Sequence, residues 1–375
     1  MNKIRTAVAG FGNMGKRYAN YLYQNQIDGM ELAGICCRNQ SGQQFIHENF
    51  SNVSIYPNDE NMLLCRNEYD AVIIATPHKE HIRIAEKALT LGIYVLCEKP
   101  LGICTKEARN LISIADKSNA AFAMIFNWRT RPAYCNAKEL LDHKKLGRLT
   151  RVVWIANLWY RTPAYHRTAS WRSSWNGEGG GVLINQSQHI LDIWQWLFGR
   201  PDAVRAIVDF GKFNPIPVDD NADIIFEYRD GCRGFFATST GESPGSNYLE
   251  IHGSNGKLII DKEKITLYEN IISTEEFALK KGDQFTDLPY NIKEIKTGES
   301  KDEYITILQN FSDHIRKDVP LIAPGSSGII PLEMANGAYL SSWLDKRIEF
   351  PIDDIEYEKM LHKQMESECF IKYYK

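Results

Sequence analysis

The stretch that decides the fold reads IRTAVAGFGNMG at residues 4–15. Residues 4–9 have the length and composition of a short buried strand, and an amphipathic pattern over 14–24 predicts a helix after them. Between the two lies G-x-G-x-x-G, in which the first glycine makes a tight turn, the second admits a pyrophosphate and the third lets the helix pack closely on the strand. A dinucleotide would place its pyrophosphate at the helix N-terminus, where free N–H groups favour negative charge. The predicted contacts are Gly10, Phe11, Gly12, Asn13, Met14 and Gly15.

The same alternation of strand and helix continues to residue 126. Strands are predicted at 30–37, 70–75, 94–97 and 121–126, and helices at 40–49, 81–91 and 106–117. Apolar strands that alternate with amphipathic helices indicate a doubly wound parallel sheet. Residues 1–126 are therefore predicted to form the Rossmann dinucleotide-binding domain of an α/β protein.

Beyond residue 126, turns join the strand patterns, which are predicted at 150–157, 203–210, 223–228, 234–240, 248–253, 257–261 and 264–267. Asn255 and Gly256 mark a hairpin turn, because this pair tolerates positive φ angles. An α+β domain with a large, mostly antiparallel sheet is predicted over 127–353, with a surface excursion at 278–302. A helix at 331–344 is a candidate to pack back on the Rossmann domain, and 354–375 form a C-terminal tail.

Composition narrows the class of protein. The 375 residues carry 44 Lys and Arg against 47 Asp and Glu, so a binder of nucleic acid or of anionic membranes, which needs a basic surface, is not expected. No apolar run reaches the roughly 18 residues of a membrane helix. The 8 cysteines are scattered without a C-x-x-C pair, which favours reduced thiols. A cytoplasmic protein without a metal site is expected.

The adenosine ribose of a dinucleotide would meet the end of the second strand, about 20 residues after the glycines. NAD sites usually place a carboxylate there, whereas this chain has Cys37 and Arg38 as the predicted contacts. Arg38 could stack on adenine or pair with a 2′-phosphate, and it could equally be a solvated side chain. Both NAD and NADP therefore remain open as the cofactor.

Three later stretches accompany the glycine loop: ATPHKEH at 75–81, GIYVLCEKPL at 92–101 and GGGVLINQSQHILD at 179–192. Together they resemble the glucose–fructose oxidoreductase / inositol dehydrogenase (Gfo/Idh/MocA) family over residues 4 to about 350. The resemblance implies an NAD(P)-dependent oxidoreductase that acts on CH–OH groups. Its further implied cofactor contacts are Thr76, Pro77, His81, Glu98, Lys99 and Asn127.

The resemblance assigns the chemistry to Lys99 and His189. Lys99 follows a strand at the carboxyl edge where open α/β sheets bind ligands, and there it would stabilise the alkoxide form of a substrate hydroxyl. His189 would take the hydroxyl proton, for which the ordinary imidazole pKa of about 6.5 is suited. Asn185 stands four residues earlier in a helix predicted over 182–198 with Gly199 as C-cap, so the two side chains would share a face.

The chain departs from the family pattern at Asn185, where an aspartate is common. An amide cannot relay a proton, but it can hold a substrate hydroxyl. His189 is therefore expected to act without a carboxylate partner while Asn185 positions the substrate. Aromatic and basic residues before the glycine run could stack on a sugar ring or pack the core, and both interpretations stay open. The candidate substrate contacts are Arg129, Tyr160, Tyr165, Trp171, Arg172, Trp175 and Asn185.

These motifs predict oxidation of a secondary hydroxyl of a sugar or glycoside, with C3 of a glucose-type ring as the most specific hypothesis. One alternative is an NAD-dependent glycosidase that acts by transient oxidation and elimination. Others are an inositol or UDP-sugar dehydrogenase and a non-catalytic cofactor-binding protein. A homodimer or homotetramer that pairs through the C-terminal sheet is expected.

Overall fold

The computed structural model of the protein describes residues 3–280, 286–298 and 301–373, the last five in backbone only. These residues form two compact units. Unit 1 takes its residues from Met1–Thr130, Gly177–Gly179 and Lys301–Leu332. Unit 2 takes them from Arg131–Asn176, Gly180–Ser300 and Glu333–Lys375. The domain limits at 126–127 and 353–354 and the packing of 331–344 stay predictions.

Unit 1 begins with the predicted alternation. Its elements are β1 (Ile4–Ala9), α1 (Asn13–Tyr23), β2 (Met30–Cys36), α2 (Gln40–Asn49), β3 (Ser54–Tyr56), α3 (Asp59–Leu64), β4 (Ala71–Ile74), α4 (His81–Thr90), β5 (Tyr94–Cys97), α5 (Thr105–Ala115) and β6 (Phe122–Met124). The six strands are parallel in the order β3-β2-β1-β4-β5-β6. This order defines a doubly wound sheet whose ligand-binding switch point lies between β1 and β4. The predicted Rossmann fold is confirmed.

The chain then builds a second sheet. Its elements up to residue 295 are α6 (Pro132–Asp142), β7 (Leu149–Ala156), α7 (Pro163–His166), α8 (Gln188–Phe198), β8 (Ala203–Phe210), β9 (Asp219–Glu227), β10 (Arg233–Ser239), β11 (Asn247–Gly253), β12 (Gly256–Asp261), β13 (Lys264–Asn270), α9 (Thr274–Leu279) and β14 (Tyr290–Ile295). They are followed by α10 (Glu303–Lys317), α11 (Ile329–Leu344), β15 (Ile348–Glu349) and α12 (Asp354–Tyr373).

The nine strands of unit 2 form one sheet in the order β14-β13-β12-β11-β7-β10-β9-β8-β15. Every neighbouring pair is antiparallel except β7 and β10, which are parallel. The predicted, mostly antiparallel sheet is therefore confirmed. None of the described helices is both long and apolar enough to cross a membrane.

α10 belongs to the core of unit 1. Its residues Ile307, Leu308 and Phe311 are buried in the same cluster as Val8 of β1 and Leu22 of α1. The carboxylate of Asp302 caps the helix by accepting the backbone N–H groups of the next turn. A segment far along the chain therefore completes the apolar packing of the dinucleotide-binding sheet.

The structure differs from the sequence predictions in several segments. β3 and α3 occupy 54–64, where no element is predicted, because three strand residues and six helical residues are too few to show a period. β14 lies in the predicted surface excursion, since it is an exposed edge strand without an apolar face. The hairpin turn is confirmed, but Gly256 carries its positive φ of 139° and Asn255 does not share it.

Candidate active site

The glycine loop has the geometry that a pyrophosphate requires. A Cβ on Gly10, whose φ is +96°, would come within 2.6 Å of the carbonyl oxygen of Ala75, and one on Gly15 would overlap the carbonyl of Gly10. A Cβ on Gly12 would meet nothing within 4 Å, so the space above it is open. Gly12 is the N-cap of α1 and offers no side chain to the free N–H groups of the first turn, which has no acidic residue. The loop therefore fits the pyrophosphate of a dinucleotide.

The side chains of the other loop residues are directed to packing or to solvent. Phe11 lies against Phe45 and Phe50, with ring centroids 6.1 Å apart in both pairs. Met14 packs on the core of unit 1, and Asn13 is exposed. Contacts of Phe11 and Met14 with a cofactor would therefore be made by their backbone.

Two buried polar atoms at the carboxyl edge of the parallel sheet have no hydrogen-bond partner among the described residues. They are Oγ1 of Thr76, after β4, and Oδ1 of Asn127, after β6. The amide nitrogen of Asn127 donates to Oε2 of Glu303 over 2.6 Å, which directs its oxygen away as an acceptor. Because an unsatisfied buried polar group costs about 1–3 kcal/mol, both atoms are suited to bind polar groups of a cofactor at this edge.

Arg38, at the end of β2, belongs to an ion-pair network. Its Nη2 lies 2.9 Å from Oδ1 of Asp59 and 4.0 Å from Oε2 of Glu80. Arg83 binds the same two carboxylates at 2.7 and 2.5 Å. Burial raises the pKa of Asp59, but hydrogen bonds from Arg83 and Arg38 outweigh it and lower that pKa to about 2. The two positive and two negative charges balance, so Arg38 brings little surplus charge for a 2′-phosphate. The neighbouring Cys37 is buried.

Lys99 follows β5 at the carboxyl edge of the sheet, and a buried pair fixes the residue before it. Glu98 accepts the phenol hydrogen of Tyr18, and its Oε2 accepts the backbone N–H of Lys99 over 3.1 Å. Burial raises the pKa of Glu98, against the opposing effect of the Lys99 charge. Burial and the proximity of Glu98 raise the pKa of Tyr18 well above its usual value. Tyr18 thus holds Glu98, and Glu98 orients the backbone at Lys99.

His81 links the loops that follow β4 and β5. Its Nε2 lies 2.8 Å from the carbonyl oxygen of Thr76, and its Nδ1 lies 2.8 Å from that of Pro100. The imidazole is buried, and burial lowers its pKa. Both ring nitrogens are thus engaged by the backbone, so His81 supports Thr76 and Pro100, and the predicted direct contact with a cofactor finds no support in its geometry.

In unit 2, His189 lies in the first turn of α8 and is 9% exposed. A buried carboxylate holds the turn that precedes this helix. Asp219 accepts the backbone N–H groups of Gly181 and Leu183 at 2.5 and 2.8 Å and the hydroxyl of Tyr339 at 2.5 Å. Burial raises the pKa of Asp219 to about 6. The glycine run is therefore anchored to β9 just before the proposed acid/base.

The helix predicted over 182–198 begins only at Gln188, which corrects the expectation for Asn185. Asn185 precedes α8, so the helical spacing that would put it on one face with His189 does not apply. The positive φ of Gly180 and the hydrogen bonds to Asp219 hold these residues in turns instead of a helix. The predicted C-cap at Gly199 is confirmed, with φ of 76°.

Tyr165 is the centre of a cluster of donors and cations in unit 2. Its hydroxyl oxygen accepts from Nη1 of Arg172 at 2.6 Å, Nε2 of Gln186 at 3.2 Å and Nδ2 of Asn185 at 3.3 Å. The guanidinium carbons of Arg161 and Arg172 lie 4.5 and 4.6 Å from its ring centroid. The structure therefore brings together three of the predicted substrate contacts, Tyr165, Arg172 and Asn185.

The remaining candidates have different environments. Trp175 is buried, donates its indole N–H to the carbonyl of Pro217 over 2.9 Å and packs in an aromatic cluster, which favours core packing for it. Trp171 lies under the Arg172 guanidinium, 4.7 Å from its ring centroid. Tyr160 is 53% exposed. Arg129 lies in unit 1, where its Nη1 donates to the carbonyl of Ile322 over 3.0 Å.

Sequence reasoning missed four residues that support these groups: Tyr18, Asp59, Asp219 and Glu303. The position of Asp59 could have been predicted, because the sequence Asn58-Asp59-Glu60 is typical of a helix N-terminus and α3 begins there. Glu303 and Asn127 are 176 residues apart in the sequence, and Tyr18 and Glu98 are 80 apart. Local sequence patterns do not predict contacts between residues so far apart.

The fold and the glycine loop define a dinucleotide-binding protein. Residues 4–126 match the family model described as the oxidoreductase family with an NAD-binding Rossmann fold, and residues 134–259 match the GFO/IDH/MocA C-terminal domain. The chain belongs to the Gfo/Idh/MocA family of oxidoreductases, and unit 1 contains its NAD-binding Rossmann fold.

Several of the similar proteins are named dehydrogenases. Levoglucosan dehydrogenase of Pseudarthrobacter phenanthrenivorans is 26% identical over 52% of this chain, and the match spans about half of that enzyme, 55% of its length. D-glucoside 3-dehydrogenase of Escherichia coli is 24% identical over 92% of this chain and 97% of that protein. The WlbA dehydrogenase of Bordetella pertussis, solved with NADH and UDP-GlcNAcA, shares the fold with a TM-score of 0.78 and 22% identity, over 94% of this chain and 100% of that one.

Proposed function

We propose that this protein oxidises a secondary hydroxyl of a sugar or glycoside with NAD, in the most specific form the C3 hydroxyl of a glucose-type ring. The observation that carries the proposal is Lys99, set by the buried Glu98–Tyr18 pair at the edge of a sheet whose glycine loop fits a dinucleotide. The match to D-glucoside 3-dehydrogenase over nearly the full length of both chains supports a glycoside as substrate. NAD, when bound, supplies a nicotinamide ring that accepts the hydride.

Two side chains act on the reacting hydroxyl: one removes its proton and the other stabilises the negative charge on its oxygen. His189 takes the proton of the substrate hydroxyl, because an imidazole near neutral pH exchanges protons readily. Lys99 stabilises the negative charge that develops on the substrate oxygen as this proton leaves. Asn185 positions the ring by binding a neighbouring hydroxyl with its amide.

The cofactor form follows from the network around Arg38. Its guanidinium is paired with Asp59 and faces Glu80, so a 2′-phosphate would meet two carboxylates as well as one cation. This arrangement favours NAD over NADP.

Absorbance of reduced nicotinamide tests the reaction with methyl glucosides, inositols and UDP-sugars. We expect NAD reduction with a methyl glucoside and none with its 3-O-methyl derivative, which lacks the reacting hydroxyl. Bound NADH without turnover of any member of the panel contradicts the proposal. Release of the aglycone without net NAD reduction would identify the glycosidase alternative instead.

We also propose that the outer face of the sheet in unit 2 pairs with a second copy of the chain. Ile207, Ile225 and Phe235 lie on this face of β8, β9 and β10 and are 68%, 36% and 39% exposed. Contiguous apolar surface of this kind marks interaction sites. Arg205 and Asp223 flank it, so the face carries both signs of charge and can meet its own copy about a two-fold axis.

A further inference from the structure

Residues 158–176 of unit 2 form a segment with an unusual distribution of charge. They read LWYRTPAYHRTASWRSSWN, with three arginines and one histidine and no acidic residue. The segment leads directly into the glycine run before Asn185 and His189. We call it the cationic segment.

Two guanidinium groups of the cationic segment converge on one tyrosine. Arg161 and Arg172 both lie within 4.6 Å of the ring centroid of Tyr165. Like charges gathered around one ring repel each other, and the repulsion grows as they leave water. Nearby negative charge would relieve this repulsion.

The described part of the chain does not place a paired carboxylate on Arg161. Arg161 forms no ion pair with any described carboxylate, and its buried Nε has no hydrogen-bond partner among the described residues. His166 is similar: its Nδ1 contacts Oγ of Ser173 at 2.6 Å, whereas its buried Nε2 meets no described partner. Burial lowers the pKa of His166, and the two arginines lower it further against the opposing effect of Asp220.

Asp220 is the carboxylate that acts on His166 electrostatically, but its oxygens are already occupied. They accept three backbone N–H bonds of 2.8–2.9 Å from Lys212, Phe213 and Asn214. Asp220 therefore stabilises its own loop and forms no direct ion pair with Arg161.

We propose that the substrate carries an anionic group, a carboxylate or a phosphate, which binds to Arg161 and Arg172 beside Tyr165. The inference rests on the proposed sugar dehydrogenase function and narrows its substrate class to acidic sugars. Guanidinium groups suit both anions, because their planar N–H donors match paired oxygens. Tyr165 connects this site to the substrate-positioning residue, since Asn185 donates to its hydroxyl.

Three glycosides of one ring type test the inference: methyl glucoside, methyl glucuronide and methyl glucoside 6-phosphate. We expect kcat/KM to be highest for one of the two anionic compounds, and the better of these identifies carboxylate or phosphate as the natural group. Arg161→Met should lower kcat/KM for that compound by about 10- to 100-fold, the usual effect of a hydrogen bond to a charged group, while changing the neutral glucoside less than about threefold. Arg161→Lys should keep most of the preference because it keeps the charge.

Arg167→Met is the matched control, because Arg167 is an exposed arginine of the same segment outside the Tyr165 cluster. It should leave the preference unchanged. Melting temperature and NADH affinity of each variant separate loss of fold from loss of the anion site. Calorimetry measures the affinity of the NADH complex for each of the three glycosides, independently of turnover.

Two results overturn the inference: a neutral glucoside that is bound and used as well as both anionic ones, or equal effects of Arg161→Met and Arg167→Met. The proposed dehydrogenase function fails separately, when no sugar is oxidised although the anionic glycosides bind more tightly than the neutral one.

Discussion

The guanidinium of Arg38 donates to the carboxylate of Asp59 across 2.9 Å at the end of the second strand of the dinucleotide sheet. From the sequence alone, Arg38 could contact adenine, a 2′-phosphate or solvent. In the structure it pairs with an acidic side chain 21 positions later. Asp59 and Glu80 therefore offset the charges of Arg38 and Arg83 near the position where NAD-binding sheets usually place a carboxylate on the strand itself.

Asp59→Asn should raise the ratio of kcat/KM for NADP to that for NAD, by roughly tenfold, because Arg38 becomes free to pair with a 2′-phosphate. The variant should also lose about 2 kcal/mol of stability at pH 7, since the lowered pKa of Asp59 stabilises the fold above its ordinary range. Steady-state rates with both cofactors and urea unfolding measure the two effects. Glu60→Gln, at the exposed neighbour, should change neither; an unchanged ratio in Asp59→Asn would remove Arg38 from cofactor selection.

Alanine at Gly12 should weaken cofactor binding, whereas alanine at Gly15 should destabilise the fold. Gly12→Ala leaves the fold intact, because the added Cβ meets nothing within 4 Å, but it fills the space reserved for pyrophosphate and should weaken NADH binding by at least about tenfold. Gly15→Ala should lower the melting temperature, since its Cβ overlaps the carbonyl of Gly10. Fluorescence titration with NADH and thermal unfolding distinguish the two. Normal NADH affinity in Gly12→Ala would place the pyrophosphate elsewhere.

Lys99→Ala and His189→Ala should each lower kcat by about 10²- to 10⁴-fold, the range expected for loss of a proton-transfer or charge-stabilising group. NADH affinity should change less than about threefold in His189→Ala, because the predicted cofactor contacts do not include it. Lys87→Ala, an exposed lysine of α4, is the control for lysine removal. Retention of full kcat in either variant would reject the role assigned to that residue.

The raised pKa of Asp219 should make the free energy of unfolding depend on pH. Its pKa is raised from about 3.8 to about 6 by burial, so between these values the folded chain binds more protons than the unfolded chain. The free energy of unfolding should therefore fall as pH rises through this window, by an amount on the order of 3 kcal/mol. Urea midpoints at a series of pH values measure it. Asp219→Asn should lack this decline and Asp116→Asn, at an exposed position, should keep it; the same slope in all three proteins would assign it to other groups.

Ile207→Lys should separate the copies of the chain. The side chain is 68% exposed on the outer face of the sheet, so a lysine there costs the single chain little but places charge within the proposed apolar interface. Sedimentation analysis should show a smaller species than the wild type. A wild type that sediments as a single chain contradicts the pairing.

How much the sequence could predict depended on the range of the interactions. The Rossmann sheet, the glycine loop and the strands around the Asn255-Gly256 turn follow local patterns of two to four residues, and these were confirmed. The extent of α8 was wrong by six residues, because Asp219, 38 positions after Gly181 and 36 after Leu183, helps to hold the glycine run in turns, and no local pattern predicts so distant a partner. The partners of Arg38, Glu98 and Asn127 come from distant positions, so the motifs indicate these residues but not what orients them.

The placement of α10 has a consequence for how the protein is made. Ile307, Leu308 and Phe311 close the core of a unit whose first strand begins at residue 4. A ribosome that has translated the whole parallel sheet has still to synthesise almost two hundred residues, including eight of the nine strands of the second sheet, before this core is covered. Translation therefore leaves apolar surface of the nascent dinucleotide-binding unit exposed for about 10 to 40 seconds at ordinary elongation rates of roughly 5–20 residues per second.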